Sequence, residues 1–304
     1  MTMPNFLVIG AAKCGTDSLC DYLGQHPEVY MCPNKEPNFF VADGKAEIPY
    51  CGRGDREAIE QWDMWVSSLD RYQALFAGVS GEKAVGEGTT WYIYDETVPA
   101  RIRHYIPEVK LIAILRNPAD RAYSAYTMLL RDGRESIRDF AQALAVEGER
   151  IRDNWEPMWQ YQRMGFYSSQ LKRYYDTFDP AQIHVVVYDD FNARPSEVLR
   201  DLYRFLDVDD QFEPDTSERR NVSLVPKNHA YNRFIAGQNP LKAALRAVLP
   251  TDFRQRVKTS LLSRNLSKPP PLPPEIRQQL IETFRSDIIE LQKQIDRDLS
   301  RWLQ

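Results

Sequence analysis

Lys13 lies inside the loop GAAKCGT, residues 10 to 16, which is bounded by Gly10 and Gly15 and follows the apolar run Phe6 to Ile9. A loop between a buried strand and a helix start offers backbone N–H groups and the positive end of a helix dipole to an anion such as phosphate or sulfate. Glycines let the backbone wrap closely around that anion. In the ATP- and GTP-binding version, GxxxxGK[ST], the lysine directly precedes a Ser or Thr that positions magnesium. Here Gly10 and Gly15 keep that spacing, but Thr16 follows Gly15 directly and the lysine sits within the loop. From there its ammonium can reach the bridging oxygen of a bound group, while the usual magnesium-positioning pair is missing. Taken alone, the loop also reads as a glycine-rich strand–helix turn with a solvated lysine.

A second anion-seeking constellation is VKLIAILRNPADRAYSAY, residues 109 to 126. Arg116 closes an apolar strand at its carboxyl edge, where open α/β sheets bind ligands, and Ser124 follows about two helical turns later. Together they fit a second phosphate. An arginine paired to a neighbouring carboxylate and a serine filling a helix interface would account for either residue alone.

The elements that must position these residues can be read from the same pattern. Phe6 to Ile9, Val109 to Leu115 and Ile183 to Tyr188 are short and apolar nearly throughout, as strands of a parallel sheet covered on both faces are. Helices are predicted over Thr16 to about Gly24, Pro118 to about Arg131, Tyr167 to Phe178 and Pro195 to Leu206; Asn117 before Pro118 suits an N-cap with proline at the first helical position. The prediction is an α/β fold, a single P-loop-like domain with a central parallel β-sheet flanked by helices. SKPPPLPP, Ser267 to Pro274, is a stiff connector. Beyond it Ile276, Leu280, Phe284, Ile288, Leu291, Ile295 and Leu299 recur every three or four residues, which predicts an amphipathic helix packing back on the domain. The domain is accordingly drawn over residues 1–266, with 267–304 as connector and docked helix.

Composition narrows the function classes. A formal net charge of -4 over 304 residues argues against a general nucleic-acid binder and confines any anion site to a local patch. No stretch approaches the roughly 18 uninterrupted apolar residues of a membrane span, and no leader-like segment opens the chain. Cys14, Cys20, Cys32 and Cys51 match no zinc-ribbon spacing. The expectation is a cytoplasmic protein with reduced thiols and no transmembrane segment.

These motifs identify a resemblance to the sulfotransferases that use 3′-phosphoadenosine 5′-phosphosulfate (PAPS). IGAAKCGTDSL resembles that family's 5′-phosphosulfate loop and LRNPADRAYSAY its 3′-phosphate motif; HPEVY, KEPNFF, GEGTTWY and RMGFYSSQLKRYYDTFDPAQIHVVVYDDF match as well. The wording is most similar to the heparan sulfate type of carbohydrate sulfotransferase and its bacterial relatives, over about residues 5 to 230. The resemblance implies PAPS as donor, PAP as product, no metal, and an in-line displacement governed by positioning and charge stabilisation. It puts Lys13 at the bridging oxygen, Cys14, Gly15, Thr16, Asp17 and Ser18 around the 5′-phosphate, and Arg116 and Ser124 on the 3′-phosphate. Asp17 is discordant there, because an acid in the first turn suits the helix dipole but repels the phosphate unless it is turned away.

For the general base the resemblance favours Glu36, which aligns with a glutamate that contacts the acceptor hydroxyl; its alternative is a solvated loop carboxylate beside Lys35. His229, in RRNVSLVPKNHAYN, is the rival base, whereas His26, His104 and His184 read as structural or surface residues. Arg219, Arg220, Asn221 and Lys227 are candidates for a clamp on the nucleotide. The family's frequent lysine in the segment GEGTTWY is Gly88 in this chain, and the C-terminal cysteine pair of its secreted members is absent. The acceptor is a small-molecule or saccharide hydroxyl, for which Trp62, Trp65, Trp155, Trp159 and Tyr161 offer aromatic faces. The basic run Lys242 to Lys268 is a further candidate, for an acidic acceptor or a membrane surface. Two other readings stay open: a P-loop kinase with a Walker B aspartate in VVVYDD, residues 185 to 190, and a noncatalytic nucleotide-binding protein.

Overall fold

A computed structural model describes residues 2–45, 65–217, 225–226 and 266–304. At its centre, five parallel strands run in the order β2-β3-β1-β4-β5: β1 Phe6–Gly10, β2 Val29–Met31, β3 Ala84–Gly88, β4 Lys110–Leu115 and β5 Ile183–Val187. β1 and β4 are buried along nearly their whole length, with Phe6, Leu7, Val8 and Ile9 and Leu111 through Leu115 all at 0% exposure. That is why both read as continuous apolar runs without alternation. The register sets Leu7 beside Leu111 and Val8 beside Ile112, and Ala11 donates to the Ile114 carbonyl at 2.8 Å. The loops leaving β1 and β4 therefore emerge side by side at the carboxyl edge of the sheet.

Five helices matter most for the site: α1 Thr16–Leu23, α2 Pro118–Arg131, α3 Tyr167–Tyr175, α4 Pro195–Leu206 and α5 Pro274–Ile295. α2 begins as its sequence dictates: the Asn117 side chain accepts from the amides of Ala119 and Asp120 at 2.9 and 3.4 Å, and Pro118 occupies the first turn, where no N–H is needed. The bounds differ from expectation in small ways. α1 ends at Leu23 and α3 at Tyr175, three residues before Phe178; β4 begins at Lys110; and Tyr188 opens a short helix, Tyr188–Ala193, instead of closing β5. The strands β2 and β3 escaped the sequence reading because one is three residues long and the other, AVGEG, contains two glycines.

The amphipathic C-terminal pattern does form a helix that packs on the domain. Leu280, Phe284, Ile288 and Leu291 of α5 are buried against α2 and α3. Polar ties fix its register. Asp287 accepts from the Ser168 amide at 3.2 Å, Arg277 pairs with Asp120, and Trp302 beyond the helix donates from Nε1 to Asp189 at 2.9 Å. Residues 225–226 and 266–267 pair as a two-stranded antiparallel ladder, β6 and β7. Among the described residues, no helix is long and apolar enough to cross a membrane.

Candidate active site

The site is built where the β1 and β4 loops meet. Gly15, in the left-handed region at φ 96°, turns the chain out of the loop into α1, and no side chain caps that helix. The start of α1 thus keeps its amides and its dipole for whatever binds in front of it. An added Cβ at Gly15 would lie 3.0 Å from the Tyr188 ring, so the loop and the end of β5 are in close contact. Tyr188 also carries Arg116, whose guanidinium stacks over the ring at 4.9 Å.

A cavity of about 740 Å³ opens here. Lys13, Gly15, Thr16, Asp17 and Ser18 line it from the β1 loop and α1. Arg116 and Ser124 line it from β4 and α2, and Glu36 lines it as well. Cys14 does not face it: the side chain is fully buried, within reach of the Tyr167 hydroxyl at 3.6 Å, and its amide bonds to Ala11 O at 3.2 Å. His229, Arg219, Arg220, Asn221 and Lys227 lie outside the described residues, as do Trp62 and residues 242–265 of the basic run.

Lys13, itself at φ 71°, is held in an unusual way. Its ammonium donates to the Met128 thioether at 3.2 Å, a weak acceptor. Burial, reinforced by the nearby Arg131 charge, pulls its pKa below the usual lysine range. Such a cation is stabilised by the arrival of an anion. Asp17, discordant in the sequence, is ion-paired to Lys35. That contact holds the carboxylate to a neighbouring cation beside the helix start.

Glu36 is positioned with equal care. It sits at φ 53°, two residues before Asn38 at φ 55°, left-handed positions that cost on the order of 1 kcal/mol each for residues with a side chain. The segment 87–90 holds that turn in place. Glu36 donates its amide to Gly88 O at 3.2 Å, Asn38 donates its amide to Thr89 Oγ1 at 3.4 Å, and Thr90 Oγ1 donates to Glu36 Oε1 at 3.2 Å. Burial pushes the Glu36 carboxyl up to about 7, against the opposing pull of Lys35. Beneath it, Glu87 is fully buried in a cage of hydroxyls. Tyr92 and Tyr72 donate to its Oε1 at 2.7 and 3.1 Å, and Thr89 to its Oε2 at 2.8 Å; burial raises this carboxyl to about 7 as well, with the three hydroxyls opposing.

Several lining residues were not singled out from sequence. Arg131 lies seven positions after Ser124, two turns along α2, so helical periodicity carried a signal for it. Tyr188 stands at the carboxyl end of β5, as ligand residues of such sheets do. Met128 and Thr90 carried no comparable mark, and Lys268, which also lines the cavity, is the end of the basic run read from the sequence. Three of the aromatic residues expected at an acceptor are packing groups: Trp159 and Tyr161 are buried, and Trp155 packs edge-on against Trp159 at 5.6 Å under the Arg150 guanidinium. His26 is structural, accepting from the Glu28 amide at 3.0 Å and contacting Asp209 O at 2.9 Å. The carboxylates of VVVYDD are committed elsewhere, Asp189 to Trp302 and Asp190 to Arg297, which removes the support for a Walker B aspartate.

The chain is similar to known proteins over most of its length. The description of the sulfotransferase family matches residues 4–214. The bifunctional heparan sulfate N-deacetylase/N-sulfotransferase 3 of Mus musculus is 26% identical over 215 residues, which is 68% of this chain and 22% of that protein. Heparan sulfate glucosamine 3-O-sulfotransferase 5 of Mus musculus is 23% identical over 240 residues, 77% of this chain and 63% of that protein. The chain therefore spans less than two thirds of the length of either relative. Among solved structures, a sulfotransferase from Alicyclobacillus acidocaldarius shares 34% identity and superposes with a TM-score of 0.78 over 100% of both chains.

Proposed function

The chain belongs to the sulfotransferase family, and on that premise we propose that it moves the sulfuryl group of PAPS to a hydroxyl acceptor, a saccharide, glycolipid or other small alcohol, by in-line displacement. The observation that carries this reading is the convergence of three anion-seeking groups on one cavity: Lys13, the uncapped start of α1, and Arg116 stacked on Tyr188. The donor would supply an activated sulfuryl group and a phosphate leaving group. Thr16 and Ser18 at the helix start would hold the 5′-phosphate, and Lys13 would offset charge that grows on the bridging oxygen. Arg116 and Ser124 would hold the 3′-phosphate. Glu36, ionised, would take the proton of the acceptor hydroxyl. The Lys35–Asp17 contact supports this by keeping the one discordant carboxylate bound to a cation. The free thiols Cys14, Cys20 and Cys32 support a reducing compartment such as the cytoplasm.

Titration calorimetry with PAP, ATP and GTP tests the donor assignment. PAP is expected to bind tightly with or without magnesium, and Lys13→Ala is expected to weaken it. A clear preference for ATP with magnesium would overturn the reading in favour of a kinase.

A further inference from the structure

A second cavity, of about 620 Å³, adjoins the first and shares Thr16, Asp17, Lys35, Glu36 and Thr90 with it. Glu36 thus faces both spaces, whereas Lys13, Arg116 and Ser124 line only the first. The walls particular to the second cavity come from α1, through Cys20 and Asp21, from Gln25 just beyond it, and from the end of β2 and the segment leaving it, through Met31, Cys32 and Asn34. Soft, weakly polar sulfur atoms therefore sit beside the Asn34 amide, which can orient a polar group, while the Gln25 amide is held by the Asp215 backbone at 3.1 and 2.8 Å.

Charge separates the possible acceptors. Among the described residues lining this cavity, Lys35 is the one cation, and its ammonium lies on Asp17; the acids are Asp17, Asp21 and Glu36. A sulfated saccharide is recognised by arginine and lysine side chains that offer charge-assisted hydrogen bonds to sulfate and carboxylate. The cavity offers the reverse. Nor can a cation be supplied from β3 without rearrangement, because a Cβ at Gly88 would stand 2.6 Å from Cys20 Sγ. The volume is within the roughly 300–1,000 Å³ range of small-molecule sites.

We propose, on the premise that the chain is a PAPS-dependent sulfotransferase, that this second cavity is the acceptor site and takes a small uncharged hydroxyl compound with a partly apolar body, in place of a sulfated saccharide chain. In the transfer, the acceptor hydroxyl gives its proton to the Glu36 carboxylate as its oxygen bonds to sulfur. The sulfur–oxygen bond to the 5′-phosphate breaks, and its electron pair stays on the phosphate oxygen, close to Lys13.

The test uses the full chain with radiolabelled PAPS and two acceptor sets: uncharged phenols and alkyl glucosides, and an N-sulfated heparan oligosaccharide. At least one uncharged acceptor is expected to exceed the oligosaccharide by about tenfold or more in kcat/KM. Cys32→Trp and Asn34→Trp, which place a ring in the second cavity from two positions, are expected to lower transfer to that acceptor by about tenfold or more with PAP affinity unchanged. Retained PAP affinity also shows that each variant is folded. Preference for the oligosaccharide, absence of transfer to every uncharged acceptor, or full transfer by both folded tryptophan variants overturns the inference while PAP binding still upholds the donor reading. Failure of the unaltered chain to bind PAP would overturn both.

Discussion

Glu36 holds its place through Gly88, Thr89 and Thr90, so its chemistry depends on a strand end more than fifty positions away in the chain. A base works only when deprotonated, and this carboxyl titrates near 7 because of its burial. Activity, measured as kcat/KM against pH, is therefore expected to rise through about pH 7 and level off above it. Glu36→Gln should lose that acid limb along with a factor of about 10²–10⁴ in turnover, and should bind PAP as before. Near-normal turnover in this variant would remove Glu36 as the base and direct attention to His229. At this scale the sequence was informative where a site is contiguous. Lys13, Thr16 and Ser18 share one loop and helix start, and Arg116 and Ser124 one strand and helix. It was silent on Thr90 and Met128, because the contacts of Thr90 with Glu36 and of Met128 with Lys13 exist only after distant segments meet.

α1 and β5 touch through a glycine and an aromatic ring, and that contact sets the shape of the donor cavity. Gly15→Ala must adopt φ near 96° and push a methyl to within 3.0 Å of the Tyr188 ring, which is the ring that supports Arg116. The expected result is a loss of about tenfold or more in PAP affinity by calorimetry, since left-handed strain of order 1–3 kcal/mol and the displaced ring both act on the cavity. Full affinity in the variant would show that the turn tolerates a side chain. Elements were legible in proportion to their burial. β1 and β4, covered on both faces, gave continuous apolar runs, and α2 announced itself by Asn117 and Pro118. Two strands were missed: β2, with three residues, and β3, whose glycines and buried Glu87 imitate a loop.

Across the whole molecule, the C-terminal segment is joined to the donor side of the sheet. Trp302 donates to Asp189, the residue after Tyr188, and its carbonyl accepts from Asn117 at 3.4 Å, the residue after Arg116. Trp302→Phe deletes the N–H and leaves a smaller ring at a buried position. Asp189 is exposed and water can replace the lost donor, so the bond itself contributes about 1 kcal/mol, and with the space left by the smaller ring stability should fall by about 1–3 kcal/mol in urea unfolding. PAP affinity should fall with it, because Tyr188 and Arg116 lie one residue from the two anchors; unchanged stability would show that the Trp302 anchor carries no weight. The amphipathic pattern of α5 foretold a docked helix, but the strand order and these polar anchors depend on long-range pairing that periodicity does not encode. Glu87 adds a property of the folded molecule as a whole. Its carboxyl titrates near 7 in the fold, against 4.5 for an unburied glutamate. Between those values the native protein carries a proton that the unfolded chain gives up, so the stabilisation tied to it is complete below about 4.5 and lost as pH rises through about 7. Melting the protein near pH 6 should therefore acidify its surroundings, and the apparent enthalpy of unfolding should change with the ionisation heat of the buffer. Glu87→Gln should weaken that dependence.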